Sequence, residues 1–145
     1  MTFNNGMMSS KRQDWKTPKN VYDELNKEFK FDFDPCLVST NTIHPIDMLG
    51  SSWAGKSIFV NPPYKYLAKW IEKCYQEWKK GKIIVMLIPV RTDTKAFHKF
   101  IYHNAELRFI KGRLCFDDSR TGAPFPSMIV IFNKLIKEDV QCLNT

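Results

Sequence analysis

The sequence predicts a single α/β domain with a mixed, mostly parallel central sheet flanked by helices. Two apolar runs, at residues 58–60 and 82–89, are rich in β-branched side chains, as is typical of strands buried on both faces. Residues 66–80, which lie between them, repeat apolar side chains at helical spacing. Strand, helix and strand in this order make a βαβ unit, in which the two strands run parallel.

The length of 145 residues fits one domain. The polar and basic composition of residues 1–13 predicts a flexible N-terminal arm. Residues 14–133 form the predicted domain, and residues 134–145 form a polar C-terminal tail.

The charge balance favours an anionic partner. Lysine and arginine number 22 against 15 acidic residues, a net charge of +7, which points first to nucleic acid, although many basic proteins bind no polyanion.

No apolar run approaches the roughly 20 residues of a membrane-spanning helix, and the N-terminus lacks the apolar core of a signal peptide. We therefore expect a cytoplasmic protein with no membrane partner. Its four cysteines follow no zinc-ligand pattern and are expected to be reduced thiols.

The first predicted helix follows Thr17-Pro18. Thr17 is a suitable N-cap, and Pro18 suits the first turn of a helix. Apolar side chains then recur at helical spacing, at Val21, Tyr22, Leu25 and Phe29.

The next residues alternate apolar and acidic side chains, which predicts a strand. Phe31 and Phe33 would face one side of it, and Asp32 and Asp34 the other. At the carboxyl end of this strand, Asp34 is placed to bind a ribose hydroxyl or an ammonium group, or it simply forms a turn.

Residues 37–56 lack clear periodicity. A loop of this length in a compact domain is usually either functional or disordered. The apolar residues around Asp47, within residues 46–49, favour a functional loop.

The second half of the chain adds further elements. They are a helix that Thr92 or Asp93 caps and that extends to about Asn104, and strands at residues 105–110, 114–116 and 127–132.

Asn61-Pro62-Pro63-Tyr64 directly follows the first apolar run. The two prolines fix φ and lack N–H groups, so the turn is stiff and holds a polar amide at the end of the strand. Open α/β sheets bind ligands beyond the carboxyl ends of their strands. The stretch therefore predicts a rigid, concave polar site, unless the prolines form only a structural turn that packs Tyr64 into the core.

Six motifs in a fixed order carry a resemblance to a known family. They are Trp15-Lys16-Thr17-Pro18, Asp32-Phe33-Asp34-Pro35-Cys36, Asn61-Pro62-Pro63-Tyr64, residues 87–94, residues 111–116 and Ala123-Pro124-Phe125-Pro126-Ser127. The chain resembles the phage and prophage DNA N6-adenine methyltransferases of the Dam type, within the S-adenosylmethionine-dependent amino-methyltransferase superfamily. The resemblance implies a shortened Rossmann-like methyltransferase fold. It also implies a phage- or prophage-encoded enzyme that flips an adenine out of DNA and methylates its N6 amine.

The resemblance implies that Asn61, Pro62, Pro63 and Tyr64 are the catalytic residues. The lone pair of the adenine N6 amine is delocalised into the ring, which makes the nitrogen a poor nucleophile. The side-chain oxygen of Asn61 and the carbonyl of Pro62 would accept hydrogen bonds from the amine and favour a tetrahedral nitrogen. Tyr64 would stack on the flipped base, so that the enzyme works mainly by positioning.

The implied methyl donor is S-adenosylmethionine, and no metal is expected. The residues implied to bind the donor are Trp15, Thr17, Pro18, Asp34, Pro35, Cys36, Asp47 and Asn61. Asp34-Pro35-Cys36 stands where larger relatives have a glycine-rich cofactor loop, although no G-x-G follows Asp34. Asp47 matches the acid that meets the adenine amino group of the donor.

The implied partner is double-stranded DNA, bound by a monomer or a homodimer. The residues expected to contact it are Arg91, Lys111, Arg113, Arg120, Phe125 and Ser127. Basic side chains there would bind phosphates and make binding salt-dependent, or they are ordinary surface charge. Phe125 would pack against the flipped base or belong to the core.

Two other functions remain open at this point. Asn61-Pro62-Pro63-Tyr64 also suits an amide nitrogen, which would make the protein a glutamine N5-methyltransferase of proteins. The net positive charge and the lack of a separate substrate-binding domain disfavour that reading. The short cofactor region suggests a catalytically inactive DNA-binding module, but the intact motif disfavours it.

Overall fold

The computed structural model describes residues 16–36, 45–115 and 122–133. Its helical elements are α1 (Lys19–Phe29), a 3₁₀-helix (Pro45–Gly50), α2 (Leu67–Lys79) and a π-helical turn (Phe97–Ile101). Its strands are β1 (Ser57–Val60), β2 (Ile83–Pro89), β3 (Glu106–Phe109) and β4 (Ser127–Phe132). The apolar runs therefore predicted both α-helices and all four of these strands to within about two residues.

The strands form one sheet in the order β1-β2-β4-β3. β1 and β2 pair in parallel, whereas β4 runs antiparallel to both of its neighbours. The prediction of a mostly parallel sheet is therefore wrong. An apolar run indicates that a strand is buried on both faces but carries no information about its direction, and β4 is a fully buried strand that runs in reverse.

β1, β2 and β3 nevertheless point the same way, because β2 and β3 are both antiparallel to β4. Their carboxyl ends therefore lie at the same side of the sheet, and those of β2 and β3 lie beside the first residues of β4. The Val90 N–H donates to the Pro126 carbonyl at 2.9 Å, and the Ile110 N–H donates to the Ser127 carbonyl at 3.2 Å. We call this side of the sheet, from Asn61 to Ile110, the carboxyl edge.

Helices cover both faces of the sheet. Met86 faces an apolar cluster that includes Trp70 of α2, which we call the α2-side cluster. Leu87 faces a second apolar cluster that includes Leu25 and Phe29 of α1, which we call the α1-side cluster. Within the described ranges, the helices are too short and too polar to cross a lipid bilayer.

The strand predicted after α1 meets the sheet at a single bridge, where Phe33 pairs in parallel with a residue of β1. Phe31 packs in the α1-side cluster and Phe33 in the α2-side cluster, so the prediction that they share a face is wrong. Among the described residues, the pairing is limited to two backbone hydrogen bonds, from Asp32 N–H to the Ser57 carbonyl at 2.8 Å and from Phe59 N–H to the Phe33 carbonyl at 3.1 Å. The Asp32 carboxylate adds to them by accepting the backbone N–H groups of Lys56 and Ser57, both at 3.0 Å.

α1 begins differently from the prediction. Its first residue is Lys19, Pro18 occupies the N-cap, and no side chain caps the helix. The Thr17 hydroxyl instead accepts a hydrogen bond from a residue beyond β1. The predicted capping role of Thr17 is therefore wrong.

The helical segment after β2 is also capped at a different residue. Thr94 Oγ1 accepts the N–H of Phe97 at 3.2 Å, so the cap is neither Thr92 nor Asp93. The segment then widens into the π-helical turn and ends at Ile101, before the predicted end.

No strand forms at residues 114–115, although one was predicted there. Leu114 is buried in the α1-side cluster, and its carbonyl accepts the N–H of Ala123 at 2.8 Å. The apolar character that predicted a strand here therefore reflects the burial of Leu114 and not pairing with another strand. Phe116, the last residue of that prediction, lies outside the described residues.

A fully buried carboxylate, that of Glu77, lies near the end of α2 at 0% exposure. The sequence pattern placed Glu77 and Lys73 away from the apolar face of the helix, but both are buried. Glu77 accepts hydrogen bonds from Lys73 at 3.2 Å, from Lys80 at 2.7 Å and from Lys82 at 2.5 Å. Burial raises the pKa of Glu77, but these hydrogen bonds outweigh burial and lower the pKa to about 2.

The same carboxylate holds the segment that precedes β1. The backbone N–H of Trp53 donates to Glu77, and Lys82 donates to the carbonyl of Trp53. The indole N–H of Trp53 in turn donates to the carbonyl of Met48 in the 3₁₀-helix, at 2.8 Å. This cluster of charges therefore fastens the 3₁₀-helix to the end of α2.

Candidate active site

Asn61 lies at the carboxyl edge, directly after β1. Asn61 is only 8% exposed, and Pro62 beside it is also buried. The amide Nδ2 donates a hydrogen bond to Thr17 Oγ1 at 3.0 Å. Because this bond holds the nitrogen end of the amide, the buried Oδ1 atom is directed away from Thr17.

Tyr64 and Phe125 meet at the same edge. Their ring centroids are 5.1 Å apart and their planes are nearly perpendicular, at 86°. Burial raises the pKa of the Tyr64 hydroxyl, and the nearby positive charge of Arg91 offsets part of that rise. The hydroxyl is therefore neutral at physiological pH, so the residue presents an uncharged aromatic surface.

A tight turn at residues 34–36 lies beside Asn61. The Asp34 carboxylate accepts the backbone N–H of Cys36 at 2.8 Å, which closes the turn. The sulfur of Cys36 in turn accepts a hydrogen bond from the backbone N–H of Asn61. Burial, the Asp34 charge and Cys74 raise the pKa of Cys36, so the thiol is neutral and unsuited to nucleophilic chemistry.

Asp47 is exposed on the 3₁₀-helix. The next two residues of that helix, Met48 and Leu49, pack against the α2-side cluster, as does Cys36. The structure thus places the Asp47 segment and the turn at residues 34–36 around the same apolar cluster.

Three basic side chains are exposed at the carboxyl edge. Arg91 follows β2, and Lys111 and Arg113 follow β3. Because β2 and β3 end at the same edge as β1, all three lie on the side of the sheet that carries Asn61. Ser127, in contrast, is 1% exposed, and its Oγ has no hydrogen-bond partner among the described residues.

A family model for DNA N-6-adenine-methyltransferase (Dam) matches residues 5–144. The chain belongs to this family. A search of curated proteins returned no match.

Membership in the Dam family confirms the resemblance to Dam-type DNA N6-adenine methyltransferases, though not the expected phage or prophage origin, and it indicates methylation of adenine N6 in DNA. The match extends past the described residues at both ends. Two residues predicted to bind the methyl donor and DNA, Trp15 and Arg120, lie within the match but outside the described residues.

The structure brings together several motif residues of this Dam-family chain that are far apart in sequence. Thr17, Cys36 and Asn61 form one contiguous group, and Tyr64 and Phe125 form a second. In the described ranges, no group of three or more His, Cys, Asp or Glu side chains is arranged to hold a metal ion.

Sequence reasoning missed two contacts that organise the site. The bond from Asn61 to Thr17 was not predicted, because a Thr-Pro pair before a helix usually serves only to cap that helix. The role of Glu77 was hidden because lysines three or four residues away usually form exposed pairs on a helix. Lys82, just before β2, was the one available signal, since it brings a third cation to the same carboxylate.

Proposed function

We propose that this protein transfers the methyl group of S-adenosylmethionine to the N6 amine of an adenine flipped out of double-stranded DNA. The observation that carries the proposal is the Asn61 amide, buried at the carboxyl edge and oriented by Thr17. We assign Asn61, Pro62, Pro63 and Tyr64 as the catalytic residues.

The chemistry follows from the two acceptors. The Asn61 Oδ1 atom and the Pro62 carbonyl accept the two hydrogens of the adenine amine. Both bonds draw the nitrogen out of conjugation and expose its lone pair. Since neither proline has an N–H to compete, the acceptors keep their positions while the base binds, and preorganised positioning supplies the rate enhancement.

The residues proposed to bind the donor carry groups that suit S-adenosylmethionine. When bound, this donor supplies an electrophilic methyl group on a sulfonium sulfur. Asp34 and Asp47 provide carboxylates for its cationic and hydroxyl groups, and Thr17, Pro18, Pro35 and Cys36 complete the proposed binding set with Asn61. The neutral thiol of Cys36 suits this place because it does not compete with the donor as a nucleophile.

The exposed cations suit the DNA. Arg91, Lys111 and Arg113 would bind phosphates on either side of the target base. The rings of Tyr64 and Phe125 provide an uncharged aromatic surface for the flipped adenine. We further propose that the sheet, with helices on both faces, is a shortened form of the Rossmann-like methyltransferase fold.

Product analysis tests the proposal directly. The protein is incubated with methyl-labelled S-adenosylmethionine and either unmodified duplex DNA or a protein extract, and the labelled product is identified after digestion. Label in N6-methyladenine supports the proposal. Label in methylglutamine, or DNA binding without any transfer, would overturn it in favour of protein methylation or an inactive binding module.

Replacing Thr17 with valine is expected to lower kcat for methyl transfer about tenfold. Valine keeps the shape of the side chain but removes the acceptor for Asn61 Nδ2, and leaving a buried donor without its partner costs about 1–3 kcal/mol. Thr17→Ser keeps the hydroxyl and is the matched control, expected to retain most of the activity. Equal kcat in the two variants would contradict an orienting role for the hydroxyl.

Replacing Ser127 with alanine is expected to leave stability unchanged or higher, and to lower activity severalfold because we propose that its hydroxyl, at the carboxyl edge, bonds to the bound DNA. A buried hydroxyl without a partner costs about 1–3 kcal/mol, so its removal should not destabilise the fold. Ser57→Ala is the control, because Ser57 Oγ donates to the Phe29 carbonyl at 2.7 Å and its loss should destabilise. Thermal unfolding and DNA methylation are measured for both, and full activity of Ser127→Ala would remove Ser127 from the substrate site.

A further inference from the structure

The turn between Tyr64 and α2 exposes an aromatic ring close to two cations. The Tyr66 residue is 44% exposed, and its ring belongs to neither apolar cluster of the described residues. The ammonium groups of Lys65 and Lys69 lie 5.3 and 5.4 Å from the ring centroid. Both lysines are exposed as well.

Tyr66 also has an unfavourable backbone conformation. Its φ of 63° and ψ of 29° place it in the left-handed region, where a residue with a Cβ is strained and glycine is not. The side chain thus adds strain and buries little apolar surface. A tyrosine at this position is poorly explained by folding alone.

The ring is held in a fixed relation to the candidate active site. The Leu67 N–H donates to the Tyr64 carbonyl at 3.2 Å, which closes the turn. The Tyr66 carbonyl accepts the N–H groups of Lys69 and Trp70, at 2.9 and 3.1 Å, which makes Tyr66 part of the first turn of α2. The ring therefore projects from rigid backbone two residues beyond Tyr64.

We propose that Tyr66 is a wedge that stacks into the DNA duplex where the target adenine leaves it, while Lys65 and Lys69 bind the flanking phosphates. Aromatic rings stack on bases of any sequence, and apolar wedges fill or open base steps in bent duplexes. The two ammonium groups lie close to the ring on flexible, exposed side chains, so they can leave the ring for phosphates when a base stacks on it. This inference rests on the proposed function, because it assigns a further DNA contact to the same site.

The test compares Tyr66→Gly with Tyr66→Phe in the full-length protein. The probes are a short fluorescein-labelled duplex of mixed sequence and the same duplex with one central abasic site. We expect wild type to prefer the abasic duplex, because a wedge fills the vacant position. We expect Tyr66→Gly to bind that duplex about tenfold more weakly, as the loss of one stacked ring implies, and Tyr66→Phe to retain the affinity.

Stability separates this role from a structural one. Glycine relieves the left-handed strain, so Tyr66→Gly should unfold at the same or a higher temperature than wild type while its DNA affinity falls. Tyr102→Ala is the matched control, since Tyr102 is 51% exposed but lies near the amino end of β3, at the opposite edge of the sheet. Unchanged affinity of Tyr66→Gly, or equal weakening in Tyr102→Ala, would overturn the proposal.

The lysines are tested by salt dependence. Lys65→Ala/Lys69→Ala should reduce the slope of log Kd against log salt concentration by about 2, the value for two lost phosphate contacts. Lys79→Ala/Lys99→Ala removes two exposed cations elsewhere and should leave the slope nearly unchanged. Equal slopes in the two double variants would overturn the phosphate contacts.

These binding measurements need neither the methyl donor nor a known recognition sequence. A failure of the proposed function would appear as a lack of N6-methyladenine with the Tyr66 effects intact. A failure of this inference would appear as normal DNA binding by the Tyr66 variants of an active methyltransferase.

Discussion

Replacing Asn61 with alanine is expected to reduce methyl transfer to DNA about 10²–10³-fold, the effect of removing one preorganised hydrogen-bonding group from an active site. The variant loses the Oδ1 acceptor at the carboxyl edge, whereas the Pro62 carbonyl remains. Affinity for S-adenosylmethionine should change little, because the other proposed donor-binding residues are untouched. Transfer is measured with labelled donor, and donor affinity is measured by calorimetry.

Asn61→Asp is the matched variant for this experiment. It retains an acceptor oxygen, and the Thr17 hydroxyl can donate to the new carboxylate in place of accepting from the amide. We therefore expect Asn61→Asp to keep far more activity than Asn61→Ala. If alanine abolished donor binding as strongly as transfer, Asn61 would act through donor binding or the fold and not as the acceptor for the adenine amine.

Replacing Glu77 with glutamine is expected to lower the free energy of unfolding by about 3–5 kcal/mol, as is usual when one partner of a buried ion pair is removed. The change leaves the buried ammonium of Lys73 and the half-buried ammonium of Lys82 without their carboxylate. Urea denaturation measures the effect. Glu72→Gln on the same helix is the control, because no salt bridge within the described residues involves Glu72 and a change there should cost about 0.5 kcal/mol or less.

The pH dependence provides a second check on Glu77. Its pKa falls from 4.5 to about 2 on folding, so its contribution to stability is complete above pH 4.5 and is lost as the pH falls towards 2. The shift corresponds to about 3 kcal/mol at neutral pH. The difference in stability between wild type and Glu77→Gln should therefore shrink below pH 4.5, and a constant difference across that range would contradict the assignment.

The sequence predicted elements well where burial alone determines them. Trp70, Cys74 and Trp78 repeat at helical spacing because one face of α2 is covered, and that face was recovered correctly. Ile129 and Ile131 marked β4 equally well but not its direction, since an apolar run reads the same both ways. The direction of β4 depends on the strands with which it pairs, and tertiary packing determines that pairing.

The sequence pointed to candidate site residues but not to the contacts between them. Asn61 and Tyr64 were singled out because a stiff proline turn follows a strand end, and the resemblance to the Dam family implied their catalytic role. The contact of Thr17 with Asn61 depends on how α1 docks, and the strain at Tyr66 depends on a φ value. Both are products of the assembled fold, which no local pattern encodes.

The bond between Thr17 and Asn61 also has a consequence for local unfolding. Thr17 precedes α1 and is only half-buried, and one part-buried hydrogen bond joins its side chain to Asn61. Segments with little burial open at a lower free energy than core strands such as β2 and β4. Catalytic competence should thus be lost before the sheet unfolds, which makes enzymatic activity a more sensitive reporter of native structure than secondary structure content.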